Sequence, residues 1–374
     1  HWEFGSDKIK QFIHTMEELD MKVKTAFLIL LVTCLSSPLL FGGAQAEKKQ
    51  EMKPVTLRLS THHPADVSRS VGSRLIKEEI EKATNGLVKI DIYYSESLAK
   101  GREVLDAVKN KVVDIGDVNP AYYPGQLPVH AGLLVYTKCP PKFSEKKAVM
   151  EKIYAKYPQV LNEIEKYNQK LLWQYFPGAL NLSSTKPVKS IKDFKGMKIR
   201  ASSEVYLRML KELGSIPVSI PFTDCYMALQ TGTIDGVFTN IEAMTGQKFW
   251  EVAPYSFTSP KLGLWLPFTF TINKDRWDSF PQTVKDQILA AIKRVDQRYE
   301  PLYDEGYEQE VKIFREKSKE LVMASDEDVA TWQNLAILAE LKKELAAKAE
   351  KAGIPNGQQF LADLDKIMDE ALKK

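Results

Sequence analysis

The chain has 374 residues, a formal net charge of +3, 44% hydrophobic and 27% charged residues. That length accommodates two domains with buried cores, and the composition is ordinary for a globular protein. So small a net charge argues against polyanionic partners, and no nucleic-acid partner is expected.

The beginning of the chain reads as targeting rather than fold. Met21-Lys22-Val23-Lys24 is a basic start, residues 26–35 are a mostly apolar run that continues with interruptions to Phe41, and Ala44-Gln45-Ala46 has the form of a cleavage site. Together they read as a secretory signal peptide over 21–46, preceded by an upstream extension over 1–20. The apolar run falls short of the ~20 residues that cross a bilayer, so the chain is not expected to span the membrane once the leader is removed. Cys139 and Cys225 remain beyond the leader and do not make a disulfide framework. With five His and neither C-x-x-C nor H-E-x-x-H spacing, no metal site or cofactor is expected.

In chain order, Val55, Leu57 and Leu59 alternate with polar residues as in a half-buried strand, which runs into the Thr61-His62-His63-Pro64 loop. A helix is expected over 70–83, closed by Thr84-Asn85-Gly86, then a strand over 88–92, a helix over 103–109 and a strand over 112–116. This β-α-β-α-β order implies a parallel sheet with helices on its faces. Helices over 144–154 and 160–168 and an apolar strand over 171–175 follow.

Residues 194–240 repeat the order: strand 197–201, helix to Gly214, strand 216–220, helix to Gly232, strand 234–238. Ala107-Val108 leads to Val113-Asp114 with the spacing by which Ala228-Leu229 leads to Ile234-Asp235, which sets Asn119 opposite Asn240. Two α/β lobes are expected, each offering an Asn at a strand end. Beyond them, 243–250 reads as helix and 262–272 as a strand returning to the first lobe. A long helical region over 282–322 is interrupted at Pro301, and Ser325 caps a further helix with Asp328 three residues on. The charged amphipathic helices over 342–351 and 359–373 read as solvated faces. Lobe I is expected over 54–178 plus about 265–303, and lobe II with the C-terminal helices over 179–264 plus about 304–374. With no low-complexity linker, more than one segment should cross between them.

Nothing here assembles a catalyst: there is no G-x-S-x-G, no phosphate-cradling glycine loop and no metal cluster, so an enzyme is not expected. A binding site is better supported. Ligands bind outside the carboxyl ends of strands in open α/β sheets, and Arg200 is placed at such an end with a planar fork that matches a carboxylate. Phe222, after Pro221, can floor a pocket, and Thr239 and Asn240 can hydrogen-bond a solute.

Asp193-Phe194-Lys195-Gly196-Met197-Lys198-Ile199-Arg200, then Pro221-Phe222-Thr223-Asp224-Cys225-Tyr226-Met227-Ala228-Leu229-Gln230-Thr231-Gly232 and Ile234-Asp235-Gly236, closely resemble the solute receptors of tripartite ATP-independent periplasmic (TRAP) transporters, of the dicarboxylate-receptor (DctP) type. Weaker similarity runs from Val55 to about Val322. The resemblance implies an α/β two-lobe periplasmic-binding-protein-like fold, with mixed, mostly parallel sheets, flanking helices and long C-terminal helices. It also implies a periplasmic receptor that closes on a small organic acid and delivers it to the membrane subunits of a TRAP permease. By position, Arg200 matches the family arginine that pairs with the substrate carboxylate, Phe222 a pocket aromatic, His62 and Asn119 first-lobe contacts, and Ser203 a second-lobe polar contact. Thr239 falls where many members have Asn, with Asn240 one residue later. Trp265, Phe238 and Tyr122 are candidates for apolar walls. Leu180 stands where several members carry another arginine, so the pocket should be less cationic and suited to a monocarboxylate. The alternatives are a receptor for a neutral ligand, with Arg200 held in an internal ion pair, and a subunit that presents its ligand to a sensor.

Overall fold

The alternation at the start of the chain folds as read: β1 (Val55–Ser60) buries Leu57 and Leu59 on one face. The computed structural model describes residues 52–373 apart from Leu264, and the leader and upstream extension read at 1–46 lie outside the described residues. α1 (Val71–Ala83) buries Leu75, Ile76 and Ile80 and delivers the chain to β2 (Val88–Tyr93), parallel to β1. α2 (Val104–Lys109) then returns it to β3 (Ile115–Val118) on the other side of β1. This strand begins later than the expected 112–116. Lys111 takes a positive φ and Val112 is exposed, so the turn after α2 extends further than its apolar residues suggest. The consequence is functional, because Asp117 becomes a strand residue and Asn119 follows the strand directly.

α3 (Pro128–Gly132), α4 (Phe143–Lys156) and α5 (Gln159–Glu165) lead to β4 (Gln169–Tyr175). The chain then passes through Phe176–Ala179 into a second sheet, opening with β5 (Leu180–Ser184), a strand absent from the sequence reading. β6 (Lys198–Arg200), α6 (Glu204–Glu212), β7 (Ile216–Val218), α7 (Cys225–Gln230) and β8 (Gly236–Asn240) follow, then α8 (Ile241–Gly246) and β9 (Tyr255–Thr258). β8 also starts two residues late. The Asp235 carboxylate, accepting from Lys198 N–H at 2.8 Å, belongs to the preceding turn, so Asn240 closes the strand instead of lying past it.

The chain returns to the first sheet as β10 (Phe268–Asn273), continues through α9 (Lys274–Asp278), and enters α10 (Gln282–Lys317), a 36-residue helix. Pro301 does not interrupt this helix as expected. Proline removes one backbone bond, but α10 is pinned on both sides of it. Arg294 and Arg298 pair with Glu79 of α1, while Val311 and Phe314 enter the core of the second lobe. The end of the helical region expected over 282–322 is strand: β11 (Glu320–Met323) pairs with β9. α11 (Asp326–Gln333), α12 (Ile337–Lys351) and α13 (Gly357–Leu372) complete the described chain. α12 packs on α3 and α6, and α13 on α4, so these charged helices bury Leu341, Leu345, Phe360 and Leu364 beneath solvated faces.

The sheets run β2-β1-β3-β10-β4 and β11-β9-β5-β8-β6-β7. Their cores are the same motif twice. β1 is parallel to β2 and β3, and β3 is antiparallel to β10; β6 is parallel to β7 and β8, and β8 is antiparallel to β5. Even the register repeats: Ser60 pairs with Gly116 three residues before Asn119, and Arg200 with Val237 three residues before Asn240. The chain crosses between the lobes at 176–179, at 259–267 and along α10.

At the start of α11 the Ser325 hydroxyl accepts from Asp328 N–H at 3.1 Å and the Asp328 carboxylate accepts from Ser325 N–H at 3.0 Å. Asp328 also accepts from Ser190 and Ile191, tying the cap to the second lobe. Ser325→Ala should cost about 1 kcal/mol, read as a lowered urea midpoint with an unchanged slope. A midpoint equal to that of the unmodified chain would mean that the cap carries no stability.

Candidate functional site

The repeated strand ends converge on one pocket. From the first lobe come His62 and His63, after β1, and Asn119 and Tyr122, after β3; from the second come Arg200, Phe222, Thr239 and Asn240. Six of the eight residues singled out from sequence therefore meet. The other two are placed elsewhere. Ser203 caps α6, its hydroxyl accepting from Tyr206 N–H at 3.1 Å, and its neighbour Ser202 lines the pocket instead. Trp265 is fully buried at the crossing, its ring stacked on Phe176 at 5.5 Å. Of the other apolar candidates, Tyr122 reaches the pocket while Phe238 packs on Trp332 in the main core.

The largest difference from the sequence reading is Arg69. Leu180, where a second arginine was sought, opens β5 and is wholly buried opposite Asn240. The second cation arrives from the other lobe. Arg69 lies in the short helical turn Ser68–Ser70 before α1, with its guanidinium 4.5 Å over the Phe268 ring, and its Nη1 donates to Asn240 Oδ1 at 3.1 Å. The pocket is thus more cationic than Leu180 alone implies. One clue was available in the sequence, since a cation just before a helix opposes the helix dipole and earns no local stabilisation there.

The pocket presents hydrogen-bond donors that lack acceptors. Arg200 is 1% exposed; its Nε donates to Ile220 O at 3.0 Å, its guanidinium lies 5.6 Å from the Phe222 ring, and its Nη2 has no partner. Arg69 Nε and Nη2 and Asn240 Nδ2 are likewise buried and unpartnered. Asn240 Oδ1 is occupied by donors from Arg69 and Thr239, which fixes its amide nitrogen as the group left over. Asn119 Oδ1 accepts from Ala121 N–H, so its amide nitrogen is also the half it has to offer. Unmade buried hydrogen bonds are costly, and a cluster of them sharing one polarity is a template for an acceptor.

Behind these donors lies a buried network. Asp117 accepts from the Thr61 hydroxyl at 2.8 Å and from the Tyr175 hydroxyl at 3.2 Å, and Tyr175 also meets His63 Nε2 at 3.1 Å. Burial pushes the Asp117 carboxyl up to about 6, against the pull of Thr61, Arg69 and Tyr175. Burial, with the Arg69 and Arg200 charges behind it, pushes His62 down to about 3; burial, His62 and Arg69 hold His63 well below its usual range. Burial works against the Arg69 charge too, but Tyr175, Glu242 and Asp117 outweigh it and Arg69 stays firmly protonated. Near neutral pH both imidazoles are uncharged, and two guanidinium groups face one carboxylate.

One ligand atom each from His62, His63 and Asp117 lies within 4.8 Å of the others, a spacing that can hold a metal ion. The same two arginines that depress His62 oppose a cation there, and the Asp117 oxygens already accept from Thr61 and Tyr175. The arrangement fits an anion better than a metal. The free space in this pocket is about 20 Å³, room for about one water, so the pocket is closed and a solute must enter as its walls part.

Residues 60–348 match the family described as Bacterial extracellular solute-binding protein, family 7 (DctP). The chain belongs to this family. It is 25% identical over 299 residues to the C4-dicarboxylate-binding periplasmic protein DctP of Rhodobacter capsulatus, covering 79% of this chain and 88% of that protein. It is 25% identical over 245 residues to the sialic acid-binding periplasmic protein SiaP of Vibrio cholerae, covering 60% and 71%. Among solved structures, a TRAP solute-binding protein from a marine metagenome, specific for aromatic acid ligands and complexed with 3-hydroxybenzoate, aligns with a TM-score of 0.72 at 23% identity, covering 85% of this chain and 99% of that one. A Bordetella pertussis extracytoplasmic solute receptor binding pyroglutamic acid aligns equally well at 20% identity, covering 83% and 99%. These likenesses establish the two-lobe TRAP-receptor fold. The family is one of transport receptors, and no helix among the described residues is long and apolar enough to cross a membrane.

Proposed function

We propose that this DctP-family receptor captures a small organic monocarboxylate between its lobes in the periplasm and delivers it to the membrane subunits of a TRAP permease. The observation that carries the reading is the convergence of Arg200 and Arg69, from opposite lobes, on one pocket with unpartnered N–H groups and the free amide of Asn240. An arginine fork matches a carboxylate, and two such forks facing each other reward closure, because a ligand shifts a conformational equilibrium only by its differential affinity for the two states. The charges favour one carboxylate over two: Glu242 and Asp117 both act on Arg69 and offset part of the two guanidinium charges. Phe222, Phe268 and Tyr122 give the solute body apolar and aromatic surface. The neutral-solute reading called for an internal ion pair at Arg200, and among the described residues no carboxylate lies within salt-bridge distance of it.

A thermal-shift screen tests this directly. Monocarboxylates, dicarboxylates and the methyl esters of the same acids are compared on the purified protein. A cognate monocarboxylate at about a hundred times its Kd should stabilise the protein by about 2.7 kcal/mol, and its ester should leave the melting temperature unchanged. Esters that stabilise as well as acids would overturn the carboxylate reading, and a dicarboxylate that outperforms every monocarboxylate would overturn the charge count.

A further inference from the structure

A second and much larger cavity, of about 360 Å³, lies on the other side of Arg69. That volume falls within the range of small-molecule sites. Its walls come from both lobes and from the segments that join them: Gly178 and Ala179 from one crossing, Pro260 and Gly263 from the next, and the middle of α10. Among the described residues only Arg69 lines both this cavity and the solute pocket.

The chemistry of the two spaces is opposite. In the hinge cavity α10 presents Tyr299, Tyr303 and Tyr307, four residues apart and therefore on one helix face. Four acidic residues, Glu242, Asp304, Glu308 and Glu310, line it against two basic ones, Arg69 and Lys146. Lys146 is already committed, its amine hydrogen-bonded to the Tyr303 hydroxyl. Glu242 accepts from Gly178 N–H at 2.8 Å, and a Cβ at Gly178 would come within 2.8 Å of that carboxylate, so the crossing is fitted closely around it.

Glu310 is the residue left without an answer. It is 6% exposed; its Oε1 accepts from the Ser68 hydroxyl at 2.9 Å, and its Oε2 has no hydrogen-bond partner. The Thr245 hydroxyl lies beside the Glu310 carboxyl and also reaches Ile241 O at 3.3 Å. The Tyr307 hydroxyl is also buried and unpartnered. Burial raises the Glu310 carboxyl above its ordinary range, with the Glu242 charge adding to it against the pull of the Thr245 and Ser68 hydroxyls. A buried carboxylate oxygen lacking a donor, beside a second carboxylate and tyrosine rings, calls for a cationic donor. Ammonium groups are bound in this way, by carboxylates and the faces of aromatic rings.

We infer that the hinge cavity is a second binding site, separate from the solute pocket, that takes a small organic ammonium ion. Because its walls belong to both lobes, its occupant acts on the angle between them. Because Arg69 lines both sites, occupancy of one alters the affinity of the other, and the coupling is reciprocal.

The test is calorimetric titration of the purified protein with propylammonium chloride and tetramethylammonium chloride, with sodium chloride as the control. The organic ions should bind saturably and sodium should not. Glu310→Gln should weaken propylammonium by about tenfold or more, the worth of one charged hydrogen bond. Leu302→Trp, at an exposed position on the cavity wall and without disturbance of the core, should weaken tetramethylammonium severalfold. Arg200→Ala, which alters only the solute pocket, should leave both affinities within twofold. No saturable binding at tens of millimolar would mean that the cavity holds only water and would overturn the inference. So would binding that Glu310→Gln leaves unchanged and Arg200→Ala strengthens severalfold, since loss of an opposing cation would place the ion in the solute pocket. The carboxylate reading of that pocket stands or falls separately, on the acid and ester screen.

Discussion

Arg200→Ala should weaken binding of the cognate acid by at least ~2 kcal/mol, about thirtyfold. The guanidinium is buried, it stands over Phe222, and Nε is spent on Ile220 O, so what remains for a solute is the fork formed by its terminal nitrogens. Its removal leaves a carboxylate in a closed pocket with one cation fewer. Arg200→Lys should recover only part of the loss, since lysine restores the charge without the planar fork. Arg69→Ala should cost a similar amount for an additional reason: it removes a charge and also the Arg69–Asn240 bond that joins the lobes in the closed form. The two losses should not add, because both side chains act on one carboxylate, and a double-mutant cycle isolates the coupling. Calorimetry with the best acid from the screen measures all five proteins, the unmodified chain included, and circular dichroism checks that they are folded. An affinity in Arg200→Ala within twofold of the unmodified chain would remove Arg200 as the anchor.

The fold was legible in the sequence wherever a pattern is local. The alternation of Val55, Leu57 and Leu59, the stripe that buries α1 and the matched spacing from Ala107 and Ala228 each survive in the structure, down to the register that sets Asn119 against Asn240. Strands that pair only through long-range contacts were not legible. β5, β9 and β11 lie outside the repeated β-α-β units and pair only with one another and with β8. Pro301 misled because its local cost is offset by contacts to α1 and to the second core, which lie far away in sequence. The same division governs the site. Arg200 and Phe222 belong to a stretch with a family pattern, whereas Arg69 belongs to a loop with none. Its role comes from the closure that brings it to Asn240, 171 residues on.

Acid should destabilise this protein through the pocket itself, and His62→Gln should relieve part of the loss. His62 is held neutral down to about 3 and His63 well below its usual range, while unfolded imidazoles take up protons below about 6.5. Between those values the unfolded chain binds the extra protons, so stability falls as pH falls, by ~1.4 kcal/mol per unit for each histidine. Asp117 acts in the opposite sense. Raised from 3.8 to about 6, it is protonated first in the folded state, so it favours folding as pH falls across that range and offsets one of the two histidines. Through His62 alone the protein should lose ~2.5 kcal/mol between pH 6 and pH 4, with His63 adding to the loss and Asp117 offsetting it. Without the imidazole of His62 that part of the loss should vanish. Surface carboxylates add their own acid dependence, but equally to both proteins, so the informative quantity is the difference between them. Urea unfolding of His62→Gln and the unmodified chain at pH 7, 6 and 4, without solute, measures it. Equal losses in the two proteins would mean that His62 is not held neutral by its burial beside Arg69 and Arg200, and the electrostatics of the pocket would have to be redrawn.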